Sequence, residues 1–206
     1  MAPRFYYGLA IVIAASAFSC GPSTIAADTP QNANAPARVR SEAPNRPADW
    51  ATPIPGKPGL PNLHKVADGL YRGAQPEAEG FAQLKALGIK TVVNLRTLHS
   101  DRDECRKVGL DYVHITAQPW EAEEDEVVAF LEVVTDPKRQ PVFVHCQHGA
   151  DRTGMMCAVY RIVLQGWPKD AAIKEMTDGG FGFHAVWQNL VKYVRELDVE
   201  KIKGRM

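Results

Sequence analysis

The chain has 206 residues, 24 Lys plus Arg set against 24 Asp plus Glu, and 45% hydrophobic residues. That composition excludes a fully disordered chain and supplies neither a basic footprint for nucleic acid nor an acidic tail. The four cysteines, Cys20, Cys105, Cys146 and Cys157, are too few and too scattered for a disulfide scaffold, and none stands at zinc-ligand spacing, so no metal and no cofactor is expected.

Residues 5–18 (FYYGLAIVIAASAF) are uncharged and mostly apolar, follow the single basic Arg4 and precede Ser19-Cys20-Gly21. This is the pattern of a secretory signal within residues 1–27, and the run is shorter than the roughly 20 apolar residues of a bilayer span. Two fates are open: lipidation at Cys20, which would anchor the protein to a membrane, or cleavage after Ser19 or near Ala26-Ala27 and release as a soluble exported protein. Residues 28–61 carry prolines at 30, 36, 44, 47, 53, 55, 58 and 61 and are expected to form a disordered tether. Residues 60–206 hold 19 Lys plus Arg and 21 Asp plus Glu, a net of −2. The folded part, residues 62–206, is therefore mildly acidic and must attract an anion locally.

Within it, strand-like runs at 70–72, 91–95, 112–115 and 142–144 alternate with helical patterns, which predicts an α/β domain with a mostly parallel central sheet flanked by helices. Phe81, Leu84 and Leu87 share one face of a helix over 77–87 that Gly88 ends, and Val127, Phe130, Leu131 and Val134 define another over 124–135. Residues 154–165 are apolar nearly all round, as a central buried helix would be, and 168–177 and 184–198 are expected to close the domain.

The chemistry lies where the most apolar strand ends: Val144-His145-Cys146-Gln147-His148-Gly149-Ala150-Asp151-Arg152-Thr153-Gly154. In a tight loop between a strand and a helix, successive backbone N–H groups can face inward and the helix N-terminus adds a positive field, so an anion is expected at the centre. The same field favours thiolate at Cys146; such settings lower a cysteine pKa from about 8.5 to roughly 3.5–7.5. Arg152 supplies a planar fork for two phosphate oxygens, Thr153 a hydroxyl for the sulfur, Gly149 the freedom to turn, and His145 a support behind the loop.

This H-C-x5-R-T-G pattern resembles the cysteine-dependent protein tyrosine and dual-specificity phosphatases. With Val66-Ala67-Asp68-Gly69-Leu70-Tyr71-Arg72-Gly73-Ala74-Gln75-Pro76 and Leu87-Gly88-Ile89-Lys90-Thr91-Val92-Val93-Asn94-Leu95-Arg96, it is similar to their compact atypical branch in bacteria, plants and fungi, over about residues 62–198. The resemblance implies that Cys146 attacks phosphorus to give a phosphocysteine while a carboxylic acid protonates the leaving oxygen. That carboxylate then activates the hydrolytic water, and Arg152 with the loop amides of Gln147, His148, Gly149, Ala150 and Asp151 holds the phosphoryl oxygens. It also implies an acid in the segment 116–126, where Glu121 directly after Trp120 is the first choice and Glu124 and Asp125 are alternatives; most of these acids could equally decorate a helix N-terminus.

Family members acting on highly phosphorylated inositols tend to carry Lys in the loop, which this chain lacks, whereas Asp151 beside Arg152 resembles members that accept phosphoinositides. Arg96 is a candidate substrate contact, Arg72 reads as structural, and His184 and Trp187 read as packing for the last helix. Cys105 and Cys157 read as ordinary, with a reversible disulfide to Cys146 left open. A phosphorylated protein or phosphoinositide substrate, no nucleic acid, a monomer and an exported location, periplasmic or membrane-anchored, are expected. The rival readings are a non-catalytic phosphate-binding module and a rhodanese-like sulfur transferase.

Overall fold

The computed structural model describes residues 46–206. The export segment, Cys20 and residues 28–45 of the tether lie outside the described residues. Residues 46–61, expected to continue that tether, instead pack on the domain. Ala51 and Leu60 are buried, and β1 (Thr52–Pro53) pairs antiparallel with β2 (His64–Ala67). A buried ion pair anchors this stretch: Nε of Arg161 lies 2.8 Å from Oε2 of Glu175, whose Oε1 accepts from the Ala51 amide at 2.6 Å. Proline content did not prevent packing because the backbone found these partners in the domain.

Strand β2 returns antiparallel on β3 (Leu70–Gly73). Beyond β3 the sheet is parallel: β4 (Thr91–Asn94), β5 (Asp111–His114) and β6 (Val142–His145) give the order β1-β2-β3-β6-β4-β5. The fold is thus α/β, parallel at its centre, with an antiparallel margin the sequence reading did not place. Strands β4 and β6 are buried at every residue, since helices cover both faces.

Helices α1 (Ala78–Ala86) and α2 (Arg102–Val108) pack on one face, around Phe81, Leu84, Val92, Cys105 and Phe143. On the other face α3 (Glu124–Thr135), α4 (Asp151–Gln165), α5 (Lys169–Asp178) and α6 (Gln188–Glu196) enclose the larger core, which includes Phe130, Leu131, Val144, Met155, Met156 and Leu190. The short helix α7 (Val199–Lys203) follows. The closing segment expected as one helix over 184–198 is a 3-10 turn, Ala185–Trp187, leading into α6.

The winding sets the site. From β3 through β5 the chain steps across the sheet in one direction; from β5 to β6 it reverses and inserts β6 between β3 and β4. Open α/β sheets bind ligands at such a reversal, outside the carboxyl ends of the strands. Cys146 follows β6 at that point.

Candidate active site

The loop from Cys146 to Ala150 is held by its carbonyls. The Cys146 carbonyl lies 3.2 Å from Nδ1 of His145, that of Gln147 accepts from the Gln75 amide at 3.2 Å, and that of His148 accepts from Nδ2 of Asn62 at 3.0 Å. Nη2 of Arg72 donates to the Gly149 carbonyl at 2.7 Å, and the Ala150 carbonyl accepts from the Gly154 amide at 2.8 Å. Five successive carbonyls therefore have partners outside the loop. Because a peptide N–H points opposite to its C=O, the amides that follow are directed away from these partners, as an anion-binding loop requires.

Gly149 makes this turn at φ +68°, and a Cβ there would fall 2.3 Å from the carbonyl carbon and oxygen of Gly73. Only glycine fits between the loop and the end of β3. Cys146 itself is 1% exposed, at the start of this loop.

Arg152, on the first turn of α4, donates through Nη1 to the carbonyls of Leu95 and Ala117, each at 3.2 Å. These carbonyls terminate β4 and follow β5, so one edge of the guanidinium is fixed by the sheet; Nε and Nη2 have no acceptor among the described residues. The Thr153 hydroxyl is fully buried and likewise has no partner among the described residues.

Behind the loop lies a polar network the sequence reading missed. Nε2 of His145 is 3.0 Å from Oδ2 of Asp101, and the same carboxylate accepts from Nε2 of Gln75 at 2.6 Å and Nδ2 of Asn94 at 2.7 Å, with Nε2 of His99 at 3.0 Å. Burial opposes ionisation of Asp101, yet the His145 imidazole 3.0 Å away, then Gln75 and His99, outweigh it and hold the carboxyl below its usual value. Arg72, read as structural, is buried behind Gly149 with its guanidinium 3.6 Å from the Phe181 ring centroid. Arg96 donates to Oε1 of Gln75 at 3.0 Å, which ties it to this network.

The acidic segment divides in two. Oε1 of Glu124 accepts from Nζ of Lys201 at 2.7 Å and its Oε2 from Nη1 of Arg205 at 3.1 Å, while Asp125 pairs with Nη2 of Arg205. Both alternatives for the acid thus face the C-terminal residues. Glu121 is exposed beside Trp120, which is 64% exposed. Glu126, absent from the sequence candidates, is half-buried, and Oε2 accepts from the Glu123 amide at 3.5 Å. Burial pushes its carboxyl up to about 7; the Glu123 amide and the charge of Arg152 lower it, and Glu123 and Glu121 raise it further.

Asp151 and His184 also depart from expectation. His184 does not pack under the last helix: its amide donates to Oδ1 of Asp151 at 2.8 Å and its Nδ1 lies 2.9 Å from Oδ2. Trp187 does pack against the larger core. Cys105 and Cys157 are buried free thiols, and burial raises both, Cys105 to about 12, which leaves them protonated and unreactive.

Residues 62–190 match the family described as DSP-PTPase phosphatase fused to NAD+ kinase. The chain belongs to this DSP-PTPase phosphatase family. It is 36% identical over 169 residues to the dual specificity protein phosphatase TpbA of Pseudomonas aeruginosa strain UCBPP-PA14, covering 82% of this chain and 75% of that protein. It is 27% identical over 154 residues to the inositol diphosphatase DSP5 of Arabidopsis thaliana, covering 69% and 72%. Among solved structures, P. aeruginosa TpbA superposes with a TM-score of 0.70 at 35% identity, over 79% of this chain and 99% of that one. A cysteine-to-serine form of TpbA in complex with pTyr gives 0.69 at 34% identity, over 79% and 98%. The phosphatase therefore carries the fold and the cysteine loop of this family.

Proposed function

We propose that this phosphatase hydrolyses aryl phosphomonoesters, phosphotyrosine in proteins foremost, through a phosphocysteine on Cys146. The observation that carries the reading is the outward anchoring of the loop carbonyls around a recessed Cys146. The structure of TpbA in complex with pTyr supports phosphotyrosine as the first substrate class.

In this mechanism the Cys146 thiolate attacks phosphorus in line, the P–O bond to the leaving group breaks, and the loop amides with Nε and Nη2 of Arg152 hold the three equatorial oxygens. Thr153 donates its hydroxyl to the sulfur when that atom again becomes a leaving group. Glu121 delivers the proton: it is an exposed carboxyl outside the ion pairs that occupy Glu124 and Asp125, whereas Glu126 accepts from the Glu123 amide at the start of α3. Water, deprotonated by the same carboxylate, then releases phosphate. Nothing in this sequence of steps calls for a metal or cofactor.

The apolar run after Arg4 and the cysteine at position 20 support an exported protein, periplasmic or held to a membrane by a lipidated Cys20; a monomer is the state we propose. Phosphoinositides are the second substrate class, favoured by the acidic residue beside Arg152.

The test is turnover of a phosphotyrosine peptide, a phosphoserine peptide and phosphoinositides by the wild-type chain and by Cys146→Ser. Vanadate-sensitive hydrolysis of the phosphotyrosine peptide, abolished by the substitution, is expected. Absence of any vanadate-sensitive turnover would overturn the reading in favour of a phosphate-binding module, and cyanide-dependent sulfur transfer from thiosulfate would replace it with a sulfur transferase.

A further inference from the structure

Three side chains that hydrolysis does not use meet at the lip of the phosphate loop. His148 stands on the loop, Asp151 opens α4, and His184 precedes the 3-10 turn, 33 residues from Asp151 in sequence. Asp151 is nearly buried at 5% exposure, while the two histidines are exposed. The His148 and His184 rings lie 5.1 Å apart between centroids, tilted by 58°. One nitrogen from each histidine and one Asp151 oxygen all lie within 4.8 Å of one another.

The Asp151–His184 pair alone suffices to tether the segment after α5 to the loop, through the 2.8 Å amide bond and the 2.9 Å side-chain contact. His148 contributes nothing to that tether: its side chain makes no hydrogen bond to a described residue, yet it converges on the same carboxylate. Two imidazoles and a carboxylate form a donor set suited to first-row divalent cations, above all zinc, whose bonds to nitrogen and oxygen are about 2.0–2.2 Å. Donors bound to one such ion stand closer together than 4.8 Å, and the exposed His148 ring is the member free to swing inward.

We propose that His148, Asp151 and His184 bind one divalent transition-metal ion of the zinc class at the mouth of the phosphate loop. Three protein ligands leave a zinc ion an open fourth position, for water or an oxygen of a bound oxyanion. The ion would join the loop to the segment after α5 and place two positive charges beside the mouth of a mildly acidic domain. The proposal rests on the side chains of His148, Asp151 and His184, none of which is assigned to proton transfer or nucleophilic attack.

The test is calorimetric titration of the tag-free Cys146→Ser chain with Zn²⁺ in a non-chelating buffer, Cys146 being replaced so that the thiolate cannot capture the ion. A parallel titration with Co²⁺ reports ligand number through its visible absorption. Expected are one ion per chain at micromolar concentration, a tetrahedral cobalt spectrum, and affinity at least ~10-fold weaker after His148→Ala or His184→Ala. Absence of binding at micromolar ion, or binding that both substitutions leave unchanged, would overturn the site. Should His184→Ala melt early through loss of its contact with Asp151, His148→Ala decides alone. Phosphatase turnover by the metal-free wild-type chain is measured separately, so failure of the site is distinguishable from failure of the enzymatic reading.

Discussion

Nε2 of His145 and Oδ2 of Asp101 lie 3.0 Å apart with both side chains essentially inaccessible, directly beneath the loop that holds Cys146. Asp101→Asn would set an amide N–H₂ against the donors of Gln75, Asn94 or His145. The expected cost is about 3 kcal/mol at neutral pH, the range for a broken buried pair, read from urea denaturation. Because the folded-state pKa of Asp101 is depressed, its contribution is present above the unfolded value of about 3.9 and lost as pH falls through the folded one. The gap between wild type and Asp101→Asn therefore narrows below about pH 4. A gap that stays constant with pH would show that the carboxylate charge is not what holds the loop.

Gly149→Ala is expected to disable the enzyme through backbone collision rather than through conformational strain alone. Its Cβ would meet the Gly73 carbonyl at 2.3 Å, and displacement of the loop by about 1 Å costs on the order of 10² in kcat. Gly166 provides the control: its φ of +70° is equally left-handed, but a Cβ there has nothing within 4 Å. Gly166→Ala should lose about 1 kcal/mol of stability with turnover unchanged. Circular dichroism and kcat on the two variants separate the effects.

The contrast between these glycines also shows what a sequence can reveal. The loop motif and the strands around it were legible because Val142–His145 and Asp151–Gln165 obey local rules of apolar run, turn and buried helix. Helix α3 was readable to the residue from the spacing of Val127, Phe130, Leu131 and Val134. The supports of the loop were not, because Asn62, Arg72, Gln75 and Asp101 reach the loop and His145 across 44 to 86 residues and carry no local pattern. Residues 46–61 misled for a related reason: proline content describes the free chain, while Ala51 and Arg46 are ordered by distant partners, Glu175 and the carbonyl of Gly179. His184 read as packing because its partner Asp151 lies 33 residues away.

Arg152→Lys should act on the transition state. The guanidinium serves two clients at once, the carbonyls of Leu95 and Ala117 through Nη1 and the phosphoryl oxygens through its other edge. An ammonium is a point charge and cannot span both. A loss of about 10²–10³ in kcat is expected, as for removal of one oxyanion donor, with the melting temperature little changed. Steady-state kinetics on p-nitrophenyl phosphate measures it, and a loss confined to KM would show that Arg152 binds substrate and transition state equally.

Glu121 and Glu126, which take no part in the ion pairs of Glu124 and Asp125, make opposite predictions. Glu121→Gln should slow hydrolysis of alkyl or phosphotyrosine esters by about 10²–10⁴, and that of p-nitrophenyl phosphate far less, because nitrophenolate departs without a proton. Glu126→Gln should keep the hydrogen bond from the Glu123 amide and retain most activity, but change the pH dependence of stability. Its folded pKa, about 7, lies above the unfolded value of about 4.3, so the native chain holds a proton that the unfolded chain has lost between these limits, and wild-type stability falls as pH rises through them. Gln has no such proton to lose. The melting temperature of Glu126→Gln should therefore rise relative to wild type from about pH 4 to about pH 7 and run parallel above. Solvent reaches much of this half-buried group, which limits the gain to the order of 1 kcal/mol. Should Glu126→Gln instead abolish turnover of poor leaving groups while Glu121→Gln spares it, the proton comes from the carboxyl that Arg152 already feels, and α3 rather than the exposed segment delivers it.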